Sequence, residues 1–194
     1  AWQIVSEGGV DALKLAERDV GAPGLGEVKV RMRASAINFR DLATIKDPAP
    51  RGLKFPTVPN SDGAGEIIEV GNGVTGLKPG DRVASCFFQD WADGPCSPEI
   101  MASALGGALD GVLAEEVILK ADGVIPFPEH MSFEDAATLP CAALTAWNAV
   151  VETGGTKAGD TVLLLGTGGV SIYALQFLNM LGARVIITSS SDEK

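Results

Sequence analysis

The stretch LLLGTGGVSIYALQF, residues 163–177, decides the fold of the C-terminal part of the chain. Its apolar run ends in Gly166, Gly168 and Gly169, and a helical pattern begins at once. A second apolar run, RVIITS at 184–189, follows about twenty residues after the glycines. Strand, glycine turn, helix and strand in this order predict a βαβ unit with two parallel strands.

The glycines also predict a dinucleotide site. Gly166 permits a tight turn, and Gly168 lets a pyrophosphate approach the backbone. The N–H groups at the helix start, including those of Gly169 and Val170, then meet the anion with help from the helix dipole. Ser171 replaces the usual third glycine, and a small residue can serve there. The alternative interpretation is a βαβ turn without a ligand.

The residues after the second strand indicate which dinucleotide is bound. An NAD site usually has a carboxylate there that bonds the ribose 2′-hydroxyl. This chain instead has four hydroxyl residues and a lysine: Thr188, Ser189, Ser190, Ser191 and Lys194. Hydroxyls and an ammonium bind a 2′-phosphate, which a carboxylate would repel. We therefore predict NADP(H) as the cofactor, with Ser189, Ser190 and Lys194 at the 2′-phosphate.

Residues 1–127 show short strands separated by glycine, proline, asparagine and aspartate. Four of these strands are predicted at 27–37, 65–71, 81–87 and 115–120. Short strands with such turns predict a β-barrel or a sandwich.

The segment 87–111 shows no clear period, which is typical of a functional or mobile loop. It carries Phe87, Phe88 and Trp91, which could form the wall of a substrate pocket, and Phe88 and Trp91 are the candidates for it. The alternative is that these aromatic rings only anchor the loop to the body of the domain.

A helical pattern begins after Phe127. Ser132 is the expected N-cap of a first helix, Pro140 is expected to divide the segment into two helices, and Gly154 and Gly155 end the second. We place the domain boundary here, with one domain at 1–127 and a second at 128–194.

Composition excludes several functional classes. The 194 residues carry a formal net charge of −10, which argues against general nucleic-acid binding. No apolar run approaches the ~18 residues of a membrane span.

The three cysteines, Cys86, Cys96 and Cys141, lack CxxC spacing, so we expect neither a disulfide framework nor a structural zinc site but a reducing, cytoplasmic location. The single histidine, His130, is expected to be exposed ahead of a helix.

Several segments together resemble the medium-chain dehydrogenase/reductase superfamily, from Trp2 to the end of the chain. The resemblance implies an α/β chain: a GroES-like β-barrel domain, then the start of a doubly wound Rossmann domain, with the active site between the two. The segments that carry it are ASAINFRDL (34–42), PTVPNSDGAGEIIEVGNGVTGLKPGDRV (56–83), LAEEVIL (113–119), ATLPCAALTAWNAV (137–150) and GTGGVSIYALQF (166–177).

The resemblance also bears on metal. Zinc alcohol dehydrogenases of this superfamily have a cysteine where this chain has Asn38, and a His-Glu pair where it has Ser61 and Asp62. Their third ligand is a cysteine, retained here as Cys141. Because catalytic zinc needs three protein ligands, we expect no metal, and the chain looks closer to the zinc-free, quinone-oxidoreductase-like branch.

In that branch the resemblance implies hydride transfer between the nicotinamide and a small carbonyl, enone or quinone substrate. It places Asn38 and Thr145 on the nicotinamide-ribose side of the pocket. No residue is assigned as a catalytic acid. Arg40 and Asp41 are expected to form an ion pair or a helix cap rather than to take part in the reaction.

The predicted second domain holds only one βαβ unit, whereas a doubly wound domain has two βαβαβ halves. We therefore expect the sequence to be part of a longer protein. The alternative function is a non-catalytic fragment or GroES-like binding module without a complete cofactor site. A homodimer of the longer protein stays open, because the sheet edge that relatives often use would lie beyond Lys194.

Overall fold

The computed structural model describes residues 1–49, 52–191 and 193. The chain divides into two compact units, Ala1–Pro140 and Cys141–Lys194. Residues 128–140, placed by the sequence in the second domain, lie in the first unit, where Ala136 and Ala137 are buried against Ala64. Among the described residues, no helix has both the length and the hydropathy that a bilayer crossing needs.

The first unit is built on an antiparallel sheet of five strands. Its strand order is β6-β3-β4-β5-β7, and β1 and β2 form a separate antiparallel pair. The strands and helices are β1 (Trp2–Ile4), β2 (Leu13–Leu15), β3 (Glu27–Ala36), α1 (Phe39–Lys46), β4 (Asp62–Val70), β5 (Arg82–Ser85), α2 (Pro98–Met101), β6 (Glu116–Lys120), β7 (Val124–Pro126) and α3 (Phe133–Ala137).

The core of this sheet follows the alternation seen in the sequence. Val28 and Val30 point to the buried side of β3, and Val30 pairs with Ile67 of β4 and with Val117 of β6. Strands therefore form at all four predicted places. β4 begins at Asp62, earlier than residue 65, because small buried residues at its start pair with the end of β3 without showing alternation.

The sequence predicts that the helical segment breaks into two helices at Pro140, and this prediction is wrong. After α3 the chain continues through a π-helical segment, Leu139–Ala143, then α4 (Leu144–Trp147), and a second π-helical segment, Asn148–Thr153. Proline has no N–H and clashes with the carbonyl four residues earlier in an α-helix. The wider π turn accommodates it without ending the helical run.

The second unit contains the predicted βαβ arrangement. β8 (Thr161–Leu165) and β9 (Arg184–Thr188) are parallel, and α5 (Gly169–Met180) connects them. Leu164, Ala174 and Leu178 form its buried core, with Ala146 and Val150 of the preceding helical run. The α/β fold class is confirmed: a unit built on an antiparallel sheet is followed by a βαβ unit with parallel strands.

Candidate cofactor-binding site

Glycines shape the turn between β8 and α5. Gly166 has a φ of 82°, which residues with a side chain rarely adopt. Gly168 is the N-cap of α5, with a φ of −76° and a ψ of 170°, and Gly169 is the first helical residue. A Cβ built on Gly168 would meet no atom within 4 Å. Neither backbone conformation nor protein packing therefore requires glycine at position 168.

A cavity of about 780 Å³ opens in front of this turn. Its lining combines the turn with the end of β9: Gly166, Thr167, Gly168, Ile172, Thr188, Ser189 and Ser190. The structure thus places Gly166, Gly168, Ser189 and Ser190 around one cavity, and their role as a cofactor site stays a prediction. Gly169 and Val170 are at the helix start but are not lining residues, and Lys194 is outside the described residues.

The N-terminus of α5 is free to receive an anion. The first turn holds no acidic residue, and Gly168 supplies no side-chain cap. The first N–H groups of a helix have no partner within the helix, and its dipole places partial positive charge at this end. Ser171, at the position of the usual third glycine, donates from Oγ to the Leu165 carbonyl oxygen at 3.3 Å.

The hydroxyls after β9 differ in their bonding. The Ser189 Oγ donates to the Ser191 carbonyl oxygen at 2.7 Å and accepts from the Ser191 N–H at 3.2 Å. The neighbouring Ser190 side chain is exposed and lines the cavity. Of the two serines that the sequence assigns to a 2′-phosphate, Ser190 has a hydroxyl with fewer hydrogen bonds to the described part of the chain.

Asn38 lies in the first unit, as the N-cap of α1. Its N–H donates to the Asp41 carboxylate at 2.8 Å, and its Nδ2 is buried without a hydrogen-bond partner among the described residues. A buried amide without a partner is costly, which suits a position that meets a ligand. Thr145 lies in the second unit, on α4, and is exposed.

Asp41 forms the ion pair expected from the sequence. Its carboxylate is 3.2 Å from the Arg40 guanidinium, which also donates to the carbonyl oxygens of Leu105 and Gly106 at 2.8 and 3.2 Å. Burial raises the pKa of the Asp41 carboxyl, although the Asn38 N–H and Arg40 lower it in part. Arg40 therefore connects α1 to the 87–111 segment.

Two residues at the expected zinc-ligand positions, Ser61 and Asp62, form a buried polar group with Ser85. Ser61 and Asp62 are fully buried, and the Ser61 hydroxyl donates to the Asp62 carboxylate at 2.6 Å. The Ser85 hydroxyl donates to the Ser61 carbonyl oxygen at 2.9 Å. Within the described residues, no three His, Cys, Asp or Glu side chains form a group that could hold a metal ion.

The 87–111 segment is more ordered than its sequence predicts. It contains α2, with Ser97 as N-cap, and closes at its base through two backbone bonds, from Leu105 N–H to the Phe87 carbonyl and from Gln89 N–H to the Ser103 carbonyl. The buried Gln89 side chain bonds backbone groups of Cys86, Gly123 and Lys120. These residues form what we call the neck of the loop.

Aromatic rings extend from this neck. The rings of Phe87 and Phe88 are 4.6 Å apart, and those of Phe88 and Trp91 are 5.5 Å apart. The Arg40 guanidinium lies over Phe87 at 4.8 Å. Trp91 is 43% exposed, and its Nε1 donates to the Gly94 carbonyl oxygen. Neither Phe88 nor Trp91 lines the cavity at the glycine turn, so their role as a substrate wall stays a prediction.

Sequence reasoning missed two features of the cavity. Ile172 lines it one helical turn after Gly168, a position that the 3.6-residue period of α5 could have indicated. Thr188 also lines the cavity. The sequence predicts it only as one of several hydroxyls, because its contacts with the turn depend on strand register, which the sequence does not specify.

The comparison with known families concerns the first unit. Residues 24–129, more than half of the chain, match the alcohol dehydrogenase GroES-like domain. The chain belongs to the medium-chain dehydrogenase/reductase superfamily. This superfamily of oxidoreductases uses NAD(P)H.

Two curated members of the superfamily match nearly the whole chain. A zinc-type alcohol dehydrogenase-like protein of Schizosaccharomyces pombe is 46% identical over 96% of this chain and 55% of its own length. An acryloyl-coenzyme A reductase of Metallosphaera sedula is 34% identical over 98% of this chain and 59% of its own length. The chain therefore spans somewhat more than half the length of these relatives.

Solved structures of superfamily members agree with the fold. A putative alcohol dehydrogenase from Sinorhizobium meliloti 1021 has a TM-score of 0.88 at 43% identity, covering 99% of this chain and 57% of its own. An NAD-dependent alcohol dehydrogenase has a TM-score of 0.89 at 36% identity, covering 100% and 59%. A quinone oxidoreductase of Escherichia coli, in complex with NADPH, has a TM-score of 0.81 at 26% identity, covering 99% and 53%.

Proposed function

We propose that this chain is part of a zinc-independent, NADP(H)-dependent oxidoreductase. The reaction would transfer a hydride between the nicotinamide and a small carbonyl, enone or quinone substrate. The observation that carries the proposal is Gly168. Its backbone conformation suits any residue and its Cβ position is open, so the close approach of a ligand is the physical reason for a glycine there.

The arrangement of the cavity supports a pyrophosphate at the helix start. Free N–H groups from Gly168 to Val170 would donate to the phosphate oxygens, with the helix dipole adding to the attraction. The net charge of −10 means that these local donors must bind the anion against the overall field. Ser190, with Ser189 and Lys194, would hold the 2′-phosphate that distinguishes NADP from NAD.

Asn38 and Thr145 are the residues that we propose for the nicotinamide end. Asn38 offers a buried Nδ2 without a hydrogen-bond partner among the described residues, and Thr145 offers an exposed hydroxyl. The bound cofactor supplies the hydride chemistry, and the role of the protein is to orient and polarise. Phe88 and Trp91 would form the apolar wall on the substrate side.

Zinc independence is supported by the chemistry of the side chains. An asparagine amide and a serine hydroxyl are poor zinc ligands beside the thiolates and imidazoles that zinc prefers. The Ser61 hydroxyl is also bonded to the Asp62 carboxylate, and of the four expected ligand positions only Asp62 and Cys141 carry groups that zinc commonly binds. Two such groups are fewer than the three protein ligands that catalytic zinc needs.

Location and partners are extensions of the same proposal. Three cysteines without CxxC spacing suit a reducing, cytoplasmic compartment. The expected partner is a small-molecule substrate, with a homodimer open for the longer protein.

The test uses Gly168→Ala in the full-length protein. The added methyl meets open space, so the melting temperature should stay at the wild-type value. NADPH and NADH affinities, titrated by nicotinamide fluorescence, should both fall by about tenfold or more, because the methyl stands where the pyrophosphate approaches. Unchanged affinity for both, or a wild type that binds neither, would refute the cofactor site.

Zinc content is measured on the same material. We expect less than one zinc per chain by elemental analysis and unchanged activity after chelation. One zinc per chain, together with activity lost on its removal, would contradict zinc independence while leaving the cofactor site intact.

A further inference from the structure

The hydroxyl of Thr188 lies where the β8–β9 pairing ends. The last register pair of the two strands is Leu165 with Thr188. Beyond that pair, the Thr188 Oγ1 accepts from the Gly166 N–H at 3.2 Å and donates to the Leu164 carbonyl oxygen at 3.5 Å. One side chain on β9 therefore bonds the residues on both sides of Leu165.

These contacts act on a turn that has open space around Gly166. A Cβ at Gly166 would meet nothing within 4 Å, and the residue holds a φ of 82°. Glycine at such a position loses more conformational freedom on ordering than any other residue. The bond from Thr188 fixes the Gly166 N–H, and with it the direction in which the chain enters α5.

We propose that Thr188 is a positioning residue for the cofactor pyrophosphate. It would act through Gly166, whose N–H it occupies, so that the N–H groups from Gly168 onward are aimed into the cavity. The proposal rests on the cofactor site proposed above. It separates two roles at the end of β9: Thr188 would serve the pyrophosphate common to both dinucleotides, and Ser190 the 2′-phosphate.

Three variants of the full-length protein test this role. Thr188→Val keeps the branched shape that favours a strand and removes the hydroxyl. Thr188→Ser keeps the hydroxyl and removes the methyl. Thr161→Val makes the same chemical change on an exposed threonine at the other end of the same ladder, where Thr161 pairs with Arg184.

The expected result is a uniform loss of cofactor affinity in one variant alone. Thr188→Val should weaken NADPH and NADH by the same factor, about threefold to tenfold, as expected for a neutral hydrogen bond. The ratio of the two affinities should not change, and kcat at saturating cofactor should stay at the wild-type value. Thr188→Ser and Thr161→Val should bind both cofactors like the wild type.

Each other result overturns the positioning role. Wild-type affinity in Thr188→Val would show that the turn needs no support, whereas the cofactor site would stand. If Thr188→Val loses affinity for NADPH alone, Thr188 contacts the 2′-phosphate. If Thr188→Ser or Thr161→Val loses as much cofactor affinity as Thr188→Val, the loss comes from packing or strand stability. If Thr188→Val does not fold, Thr188→Ala removes the same hydroxyl and is judged in the same way. Absence of binding in the wild type would instead refute the cofactor site itself.

Discussion

Replacing Ser190 by aspartate should reverse the proposed preference for NADPH over NADH. Ser190 is exposed and lines the cavity, whereas the Ser189 hydroxyl is bonded to the Ser191 backbone. A carboxylate at position 190 would therefore face the 2′ position of the adenosine ribose. There it can accept a hydrogen bond from the 2′-hydroxyl of NADH but repels the 2′-phosphate of NADPH.

The size of the effect follows from charge and distance. A carboxylate and a phosphate with a charge near −2, about 5 Å apart, repel by about 1.7 kcal/mol at the dielectric constant of water, which suits an exposed position. Loss of the hydroxyl's bond to the phosphate adds about 1.5 kcal/mol, the low end for bonds to charged groups. The sum, about 3 kcal/mol, predicts that NADPH affinity falls by about a hundredfold. NADH should bind as well as before or up to about tenfold more tightly.

The assay is nicotinamide fluorescence titration of both cofactors at two salt concentrations. Ser190→Asn is the matched control, because asparagine is neutral and nearly the same size as aspartate. Its loss of NADPH affinity should be smaller than that of Ser190→Asp by the part that comes from charge repulsion. Added salt should narrow the gap between Ser190→Asp and Ser190→Asn. If Ser190→Asp leaves the NADPH/NADH affinity ratio unchanged, the assignment of the cavity to an adenosine 2′ position is wrong.

Two further predictions concern the first unit. Trp91→Ala should raise KM for the substrate severalfold and leave cofactor affinity unchanged, while Trp91→Phe, which keeps a ring near Phe88, should recover most of the loss; equal weakening of both ligands would indicate a structural role. Asp41→Ala should lower the free energy of unfolding by about 2–3 kcal/mol, because it removes a buried partner of Arg40 and of the Asn38 N–H. Burial raises the folded-state pKa of Asp41. The contribution of this side chain to the free energy of unfolding is therefore largest below its unfolded-state pKa of about 3.9, and it declines as pH rises through the folded-state pKa. Urea unfolding across this pH range should show that the loss of unfolding free energy in Asp41→Ala becomes smaller as pH rises. A loss that becomes larger as pH rises would contradict the raised pKa.

The βαβ unit could be predicted from the sequence because several local signals agree. Glycines at 166, 168 and 169 follow a continuous apolar run, and the next apolar run comes at the expected distance. The strands of the first unit were found for a similar reason, since Val28 and Val30 alternate with polar residues. Ser132 was a correct N-cap, accepting from the Asp135 N–H at 3.0 Å.

Other features depend on long-range geometry that the sequence does not show. The β1–β2 pair consists of three-residue strands, too short for a periodic signal. The π-helical turns around Pro140 are not predicted, because local rules treat proline as a helix terminator and so predict a break. The contacts of Arg40 with Leu105 and Gly106 join residues more than sixty positions apart, so no sequence pattern encodes them.

The neck of the 87–111 loop has a consequence for how the domain can change. Backbone bonds from Phe87 to Leu105 and from Gln89 to Ser103, together with the buried Gln89 side chain, fix both ends of the excursion to the sheet. The residues between 90 and 102 can therefore be exchanged, lengthened or shortened while the strands beneath them keep their register. Recombination or engineering could replace this segment as one piece without rebuilding the core of the domain.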